Sequence, residues 1–596
     1  MPPLSIEENS LLQSAMQHQR AGELAQAESL YRHLLQKVPS HVDGCFQLGS
    51  LLCQSGRLAD GIPLLTSAAT SSPQNPQFHY YLGLALSMAG RLEESAAAHL
   101  KAVQLGPGVG VAHYALGNAL RRLGKWAPAK ASYEQSIALG FVPPELYSYL
   151  AEIALGMRDF RQAAEYSRQE LLRNPDHTTS RLQLAEALFA LDDTAMALAE
   201  YRKAVPGGGG VPAAVYPLMS AREYSQAVGA EYRVVAAAKT FAVDAPAAIG
   251  RPFSAKGGVA TLEERYVARV PNGLLFAGHN VVLADGSHAI YDNLRHPLGE
   301  TVVPIGEKFI QLRNREKLLL DFSDAQITRA GRGVQFTSPS SRIYGHWFAE
   351  ILPRFQTLNA LPEFADVPLY VDAGLPPGHY RALELLADGQ RQIVPLLPGT
   401  GVKFDELLLV PSPTFFPYAC HPDTPVMVEI SPTSVEACEY LRDRLLDKLA
   451  LSASPWAPGA QGRRLYLGRR AAPGTRKLIN AVEVEQRHLA AGFEVIYPED
   501  YTLDEQIRIF NSASNVAGPH GSAFINIIFC RPGTRVSAFS HQHGANFAAW
   551  AAAVTAMGLE HLYVVGEGVA DSSWHIHHYD YTIPLTLIDE SLKYHA

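Results

Sequence analysis

Three stretches of this chain combine residue types and spacings that could do chemistry. In Gly518-Pro-His520-Gly521-Ser522-Ala-Phe-Ile-Asn526 two glycines bracket a histidine, and an apolar run follows at helical spacing. Glycines at a strand-to-helix turn let the backbone approach a ligand, and the amides that open the helix favour an anion. A tight turn with a hydrogen-bonded histidine would show the same pattern. The second stretch runs from Arg463-Arg464-Leu-Tyr-Leu-Gly468-Arg469-Arg470 to Arg476-Lys477-Leu-Ile-Asn480. Guanidinium forks match the paired oxygens of a diphosphate; a solvated surface loop would be equally basic. The third is Tyr344-Gly345-His346-Trp347-Phe-Ala-Glu350-Ile-Leu-Pro353-Arg354. His346 and Glu350 share one face if the segment is helical, and a histidine–carboxylate pair can move a proton. An ordinary helix-start pair has that spacing too. No third metal ligand is suggested by spacing, so a metal is not expected. His541 and His543, and His575, His577 and His578, read as loop and edge-strand residues.

The elements around these stretches alternate. Strand-like runs at 465–467, 494–497, 515–518, 535–539 and 561–565 are separated by helical patterns at 481–491, 503–513, 522–530 and 546–557. Repeated β-α units predict a parallel, doubly wound sheet with ligands at the carboxyl ends of its strands, which is where the first two stretches lie. Further upstream the pattern is less regular. Short β-type runs at 274–276, 280–283 and 289–291 include Asp285-Gly286, a hairpin signal. Strands at 367–371 and 406–410 and helices at 379–387 and 434–451 follow, and 453–462 reads as a loop between two lobes.

The first third is repetitive. Gly22, Gly56, Gly90 and Gly124 recur every 34 residues, as do Ala15, Gly49, Gly83, Gly117, Ala151 and Ala185. Pro39, Pro73, Pro107 and Pro175 keep the same phase, and Tyr31, Tyr133 and Tyr201 mark an aromatic position. Arg158 and Asp192 replace the turn glycine in two units, Phe141 replaces a proline, and Pro143-Pro144 introduces a two-residue slip. The pattern resembles the tetratricopeptide repeat. It predicts six helix pairs over 8–205, stacked as an α-solenoid whose groove takes a peptide or protein partner. Residues 206–260 read as a Gly/Pro/Ala-rich linker with one helix, patterned over 221–241. Residues 261–452 and 453–596 read as two lobes.

Composition bounds the function. Fifty Lys and Arg against 58 Asp and Glu give a net charge of −8, which argues against a nucleic-acid partner. No run approaches the roughly 18–20 apolar residues of a membrane span. The N-terminus lacks a basic region followed by an apolar one, and the five cysteines form no CxxC pair. A cytoplasmic location is expected on these grounds.

In chain order, Arg464-Leu-Tyr-Leu-Gly468-Arg469, Arg476 to Asn480, Gly492-Phe-Glu-Val-Ile-Tyr-Pro498-Glu499, Glu505-Gln506 and Gly518 to Asn526 resemble the motifs of glycosyltransferase family 61. Tyr344-Gly345-His346-Trp347 with Glu350 and Pro353-Arg354 resembles that family's upstream motif. The resemblance covers about residues 262–590, with departures at Ile343, Gly468 and Ala481. It implies an inverting, nucleotide-sugar-dependent transferase with two Rossmann-like lobes of GT-B type, needing no metal or other cofactor. The donor would lie on the second lobe against Arg469, Arg476, Asn480, Glu499, Gln506, Gly518, His520, Gly521, Ser522 and Asn526. Glu350 or His346 would be the base, and the acceptor a hydroxyl on a protein. Two alternatives stand beside this reading: a polysaccharide or lipid-linked acceptor, and a non-catalytic scaffold with a transferase-like domain.

Overall fold

The 34-residue spacing of small residues shapes the first unit, Met1–Ala204. Where Gly117 stands, a Cβ would lie 2.6 Å from the Tyr133 ring; at Gly83 it would lie 2.6 Å from the ring of His99. In these pairs an aromatic side chain of the second helix fills the space that the small residue of the first leaves open; at Gly49 it is Leu65 that does so, 3.0 Å from where a Cβ would be. Twelve helices form six such pairs, from Ile6–Arg20 with Leu24–Lys37 to Thr178–Ala190 with Thr194–Ala204. All six turns use a left-handed residue: Gly22, Gly56, Gly90 and Gly124, then Arg158 at φ 60° and Asp192 at φ 73°. The turn geometry persists where the glycine does not, against the steric preference of L-residues. A second periodic device links successive pairs. Sγ of Cys45 donates to the carbonyl of Pro39, Nε2 of His79 bonds Pro73 O at 3.0 Å, Nε2 of His113 bonds Pro107 O at 3.0 Å, and Arg181 donates to Pro175 O.

The computed structural model describes residues 6–205, 207, 209–252, 257–290, 310–313, 316–414, 433–456, 461–470, 476–542, 548–569 and 579–595. Cys420, His543, His575, His577 and His578 fall outside these residues, as does part of the loop expected at 453–462. The other four cysteines are buried free thiols.

The second unit, Val205–Ala596, holds two large sheets. One is parallel in the order Glu494–Ile496, Arg463–Leu467, Ala513–Pro519, Arg535–His541, Glu560–Val569, as the β-α alternation predicts. Asp580–Thr582 closes its edge antiparallel. The other sheet is mixed. Gln326–Gln335, Thr400–Leu409, Leu369–Asp372 and Ile393–Leu396 are parallel, and Arg265–Pro271, Leu274–Phe276, Val282–Ala284 and Lys317–Phe322 join by antiparallel pairing. Asp285 and Gly286, both at positive φ, make the expected hairpin turn between Val282–Ala284 and His288–Ile290.

The expected linker is largely sheet. Val211–Met219 and Tyr232–Ala236 belong to the mixed sheet, and Ala248–Gly250 pairs parallel with Tyr563–Val565 of the other. Pro212 and Pro217 disguise the first of these strands. The helix patterned over 221–241 stops at Val228, because Gly229 takes the left-handed C-terminal position at φ 68°. A single apolar cluster runs from Val334, Trp347 and Phe355 through Leu441 and Phe510 to Val516, Phe529 and Val565. It includes side chains from both sheets, so they share one core.

Burial has a titratable consequence. It lowers the pKa of His99, His279, His379, His488 and His561 to about 4 and of His595 to about 3. An unfolded imidazole takes its proton near pH 6.5, so below that pH the unfolded state binds more protons than the folded state. Stability is therefore present above about pH 6.5 and lost as the pH falls toward 4. Calorimetric melting from pH 7.5 down to pH 5 should show a steadily falling transition, each buried imidazole contributing on the order of 1–2 kcal/mol. A flat profile over that range would contradict neutral burial.

Candidate functional site

The loop leaving strand Gln326–Gln335 enters a short helix, Tyr344–His346, which widens into a π-turn over Trp347–Ile351. The Leu352 N–H donates to Trp347 O, five residues back, at 2.9 Å. Trp347, Phe348 and Ile351 are buried in the shared core and hold this turn in place. Local π-geometry of this kind often accompanies functional sites. On it, His346 Nδ1 and Glu350 Oε2 lie 2.6 Å apart. The Glu350 side chain is 5% exposed and that of His346 is 25% exposed, so the imidazole is the member of the pair that reaches solvent.

This helix start rests on the turn that closes strand Ala513–Pro519. A Cβ on Gly345 would stand 3.4 Å from Ser522 Oγ. Gly518, at φ 151°, lets its strand run close to Arg463–Leu467; a Cβ there would meet Leu467 O at 2.7 Å. The Arg469 guanidinium lies over Gly521, its Nη1 3.1 Å from where a Cβ would be. Arg476 Nη2 donates to His520 O at 3.4 Å. Both arginines thus meet the Gly518–Ser522 turn at the carboxyl ends of two neighbouring parallel strands. Burial lowers the pKa of Arg476 and the like charge of Arg469 lowers it further, while the phenols of Tyr581 and Tyr563 raise it.

The remaining expected residues lie elsewhere around this turn. His520 points its ring into the core, stacked on Phe524 with centroids 5.5 Å apart. Burial first, then Arg476, His561 and Arg469, hold its pKa well below the usual imidazole value, so it is neutral. Its carbonyl accepts the Arg476 hydrogen bond. Asn526 is completely buried: its Nδ2 donates to Gln506 Oε1 at 3.0 Å and its Oδ1 accepts from the Tyr344 hydroxyl at 2.6 Å. Asn480 is taken up by the backbone of Ile583, donating to its O at 2.8 Å and accepting from its N–H at 3.2 Å. Glu499 and Asp500 hold Arg470, whose guanidinium lies 4.6 Å above the Tyr497 ring. The basic segment is therefore divided. Arg463 pairs with Glu494, Arg464 lies over Phe493, Arg470 pairs with the acidic loop, and Arg469 and Arg476 converge on the turn.

Sequence reasoning passed over Tyr344 as a site residue, although it stands inside the quoted motif, and over Tyr563 and Tyr581. Nothing local marks Tyr581, which reaches Arg476 because its strand closes the sheet edge. Among the described residues no group of three or more His, Cys, Asp or Glu side chains could hold a metal ion. No helix of these residues is long and apolar enough to cross a membrane. The backbone role of Asn480 carries an expectation. Asn480→Ala removes both bonds to Ile583, and a loss of about 1–3 kcal/mol in urea unfolding should follow. An unchanged midpoint would return this amide to the ligand site.

Comparison with known proteins bears on both units. Residues 12–76, 46–109 and 149–212 match Tetratricopeptide repeat, and residues 344–537 match Glycosyltransferase 61. Among solved structures, a crystal structure of MamA protein is 20% identical, with 28% of this chain and 92% of that chain covered and a TM-score of 0.27. The pilF protein of Pseudomonas aeruginosa is 21% identical, covering 34% and 93%, with a TM-score of 0.29. A tetratricopeptide repeat protein from Parabacteroides merdae is 16% identical, covering 33% and 78%, also at 0.29. No curated protein matches the chain. The matched 344–537 segment contains the His346–Glu350 pair, both arginines and the glycine turn, so the chain carries a glycosyltransferase 61 domain preceded by tetratricopeptide repeats.

Proposed function

We propose that Val205–Ala596 is an inverting transferase that moves a sugar from a nucleotide-sugar to a hydroxyl. Its two sheets would be the lobes of a GT-B arrangement, and the repeats would recruit the acceptor protein or an assembly partner. The observation that carries this reading is the meeting of the Gly345–His346 helix start with the Gly521–Ser522 turn, over which Arg469 lies. A histidine–carboxylate pair and a glycine turn under an arginine, drawn from different sheets, stand side by side, and this supports a proton-moving role for the one and an anion-binding role for the other. The buried, free cysteines are in keeping with a reducing, cytoplasmic setting.

In this reading the donor diphosphate lies at the Gly518–Ser522 turn. Arg469 and Arg476 meet its charge, which grows as the sugar–oxygen bond breaks, so no metal is required to neutralise the leaving group. The acceptor hydroxyl attacks the anomeric carbon from the opposite side. The bonding electrons leave with the diphosphate, and the hydroxyl proton passes to the base. In this reading His346 is that base, with Glu350 as its partner; the exposure of the pair supports this order. With Nδ1–H donated to Glu350, Nε2 is the ring nitrogen that takes the proton. The carboxylate is the buried, orienting partner and the imidazole the exposed one.

Two experiments test this. Arg469→Ala and Arg476→Ala should each weaken binding of UDP or GDP, measured by calorimetry, by a factor corresponding to about 2–5 kcal/mol. Unchanged affinity in both removes the diphosphate assignment. Screening against UDP- and GDP-linked sugars should find a donor whose turnover His346→Ala lowers by about 10²–10⁴-fold with donor affinity retained. Glu350→Gln should cost less than His346→Ala, because it keeps an acceptor for Nδ1–H and loses the charge that stabilises the imidazolium. The reverse order would make Glu350 the base, and full activity in both variants would place the base elsewhere.

A further inference from the structure

The fully buried Asn526, expected to bind donor, belongs to a hydrogen-bond chain that crosses between the sheets. Gln506 Nε2 donates to the Tyr501 carbonyl at 2.9 Å. Asn526 Nδ2 donates to Gln506 Oε1 at 3.0 Å, and the Tyr344 hydroxyl donates to Asn526 Oδ1 at 2.6 Å. The polarity of this chain is fixed from one end. A backbone carbonyl can only accept, so Gln506 must turn its NH2 toward Tyr501 and its oxygen toward Asn526. Asn526 must then turn its NH2 toward Gln506, which leaves its oxygen facing Tyr344. Reversing either amide would set two oxygens against each other. The phenol is therefore required as a donor. Burial raises its pKa, which keeps it protonated.

We infer that Tyr344, Asn526 and Gln506 are positioning residues that clamp the His346–Glu350 turn onto the Gly521–Ser522 turn. Tyr344 lies two residues before His346, and Asn526 lies four residues after Ser522 in the helix that leaves the anion turn. The contact of Gly345 with Ser522 lies beside the clamp, and the Arg381–Asp504 ion pair at 2.8 Å adds a tie from helix Pro377–Ala387 to the helix that bears Gln506. The inference rests on the transferase reading for its catalytic consequence: the clamp sets the separation between the base and the bond that breaks. A shift of about 1 Å in such a separation costs on the order of 10²-fold in rate.

Tyr344→Phe removes one hydroxyl and keeps the ring packed on Phe348, whose centroid is 4.7 Å away. Two measurements on the full chain test the clamp. Hydrogen–deuterium exchange should show lost protection in 344–352 and, together with it, in 518–529 on the other sheet, with the global melting transition nearly unchanged. With UDP-glucose, UDP-N-acetylglucosamine and GDP-mannose as probes, turnover of the donor that the wild type uses should fall by about 10–100-fold while its KM moves less than threefold. Asn526→Asp, which keeps the acceptor for Tyr344 but sets an oxygen against Gln506, should reproduce both effects. Exchange confined to 344–352, or Tyr344→Phe turnover within twofold of wild type, overturns the inference. Coupled exchange in a protein whose wild type turns over no probe upholds the clamp and counts against the transferase reading alone.

Discussion

The two sheets of Val205–Ala596 depend on one shared apolar core, and the Tyr344–Ile351 segment is wedged into it. Trp347 and Phe348 are buried to within 1% and pack with Phe510, Phe524 and Phe529, which come from the opposite sheet's helices. Burying a side chain of that size contributes roughly 1.5–3 kcal/mol, and a wedge of several such side chains cannot move without exposing them. A histidine on this segment therefore has a defined place relative to a turn on the other sheet. The polar chain from Tyr344 to Tyr501 sits at the edge of the same wedge. Apolar burial supplies the adhesion, and the directed hydrogen bonds supply the register, since a slip would leave buried amide groups unsatisfied.

The repeats solve a different problem with cheaper means. The pairs are fixed by a small residue under a side chain of the partner helix and by a left-handed turn, both set by residues close in sequence. Neighbours in such a stack tolerate substitution at these contact positions. His99 and Leu65 stand over glycine where Tyr133 does in another unit, and the donor to the proline carbonyl is cysteine, histidine or arginine in different units. What the array holds constant is geometry, and the residue that meets it varies.

That contrast explains what could be read from the sequence. The six helix pairs and the parallel sheet at 463–569 were legible because their signals are local: a period of 34, or a strand followed within a few residues by its crossover helix. The strands Val211–Met219, Tyr232–Ala236 and Ala248–Gly250 were read as linker because their partners are distant. Ala248–Gly250 has no strand-like alternation of its own and is recruited by Tyr563–Val565. The same holds within the site. Spacing placed His346 and Glu350 together and marked the glycine turn, but it could not tell an amide that meets a ligand from one that meets a remote backbone. Asn480 meets Ile583 and Asn526 meets Tyr344, and neither partner lies nearby in the chain.

Charge in the parallel sheet follows the same division. Six cations in the basic segment look equivalent in sequence, yet the fold provides carboxylates or an aromatic face for Arg463, Arg464 and Arg470. Arg469 and Arg476 converge on the Gly518–Ser522 turn, where, after burial, both help to hold the His520 pKa down. Two like charges gathered at one turn raise the electrostatic energy of the protein, and desolvation of Arg476 raises it further. A neutral His520 beneath them adds no third positive charge. An anion held against both guanidinium groups would offset that cost, which is the electrostatic basis of the donor site proposed above.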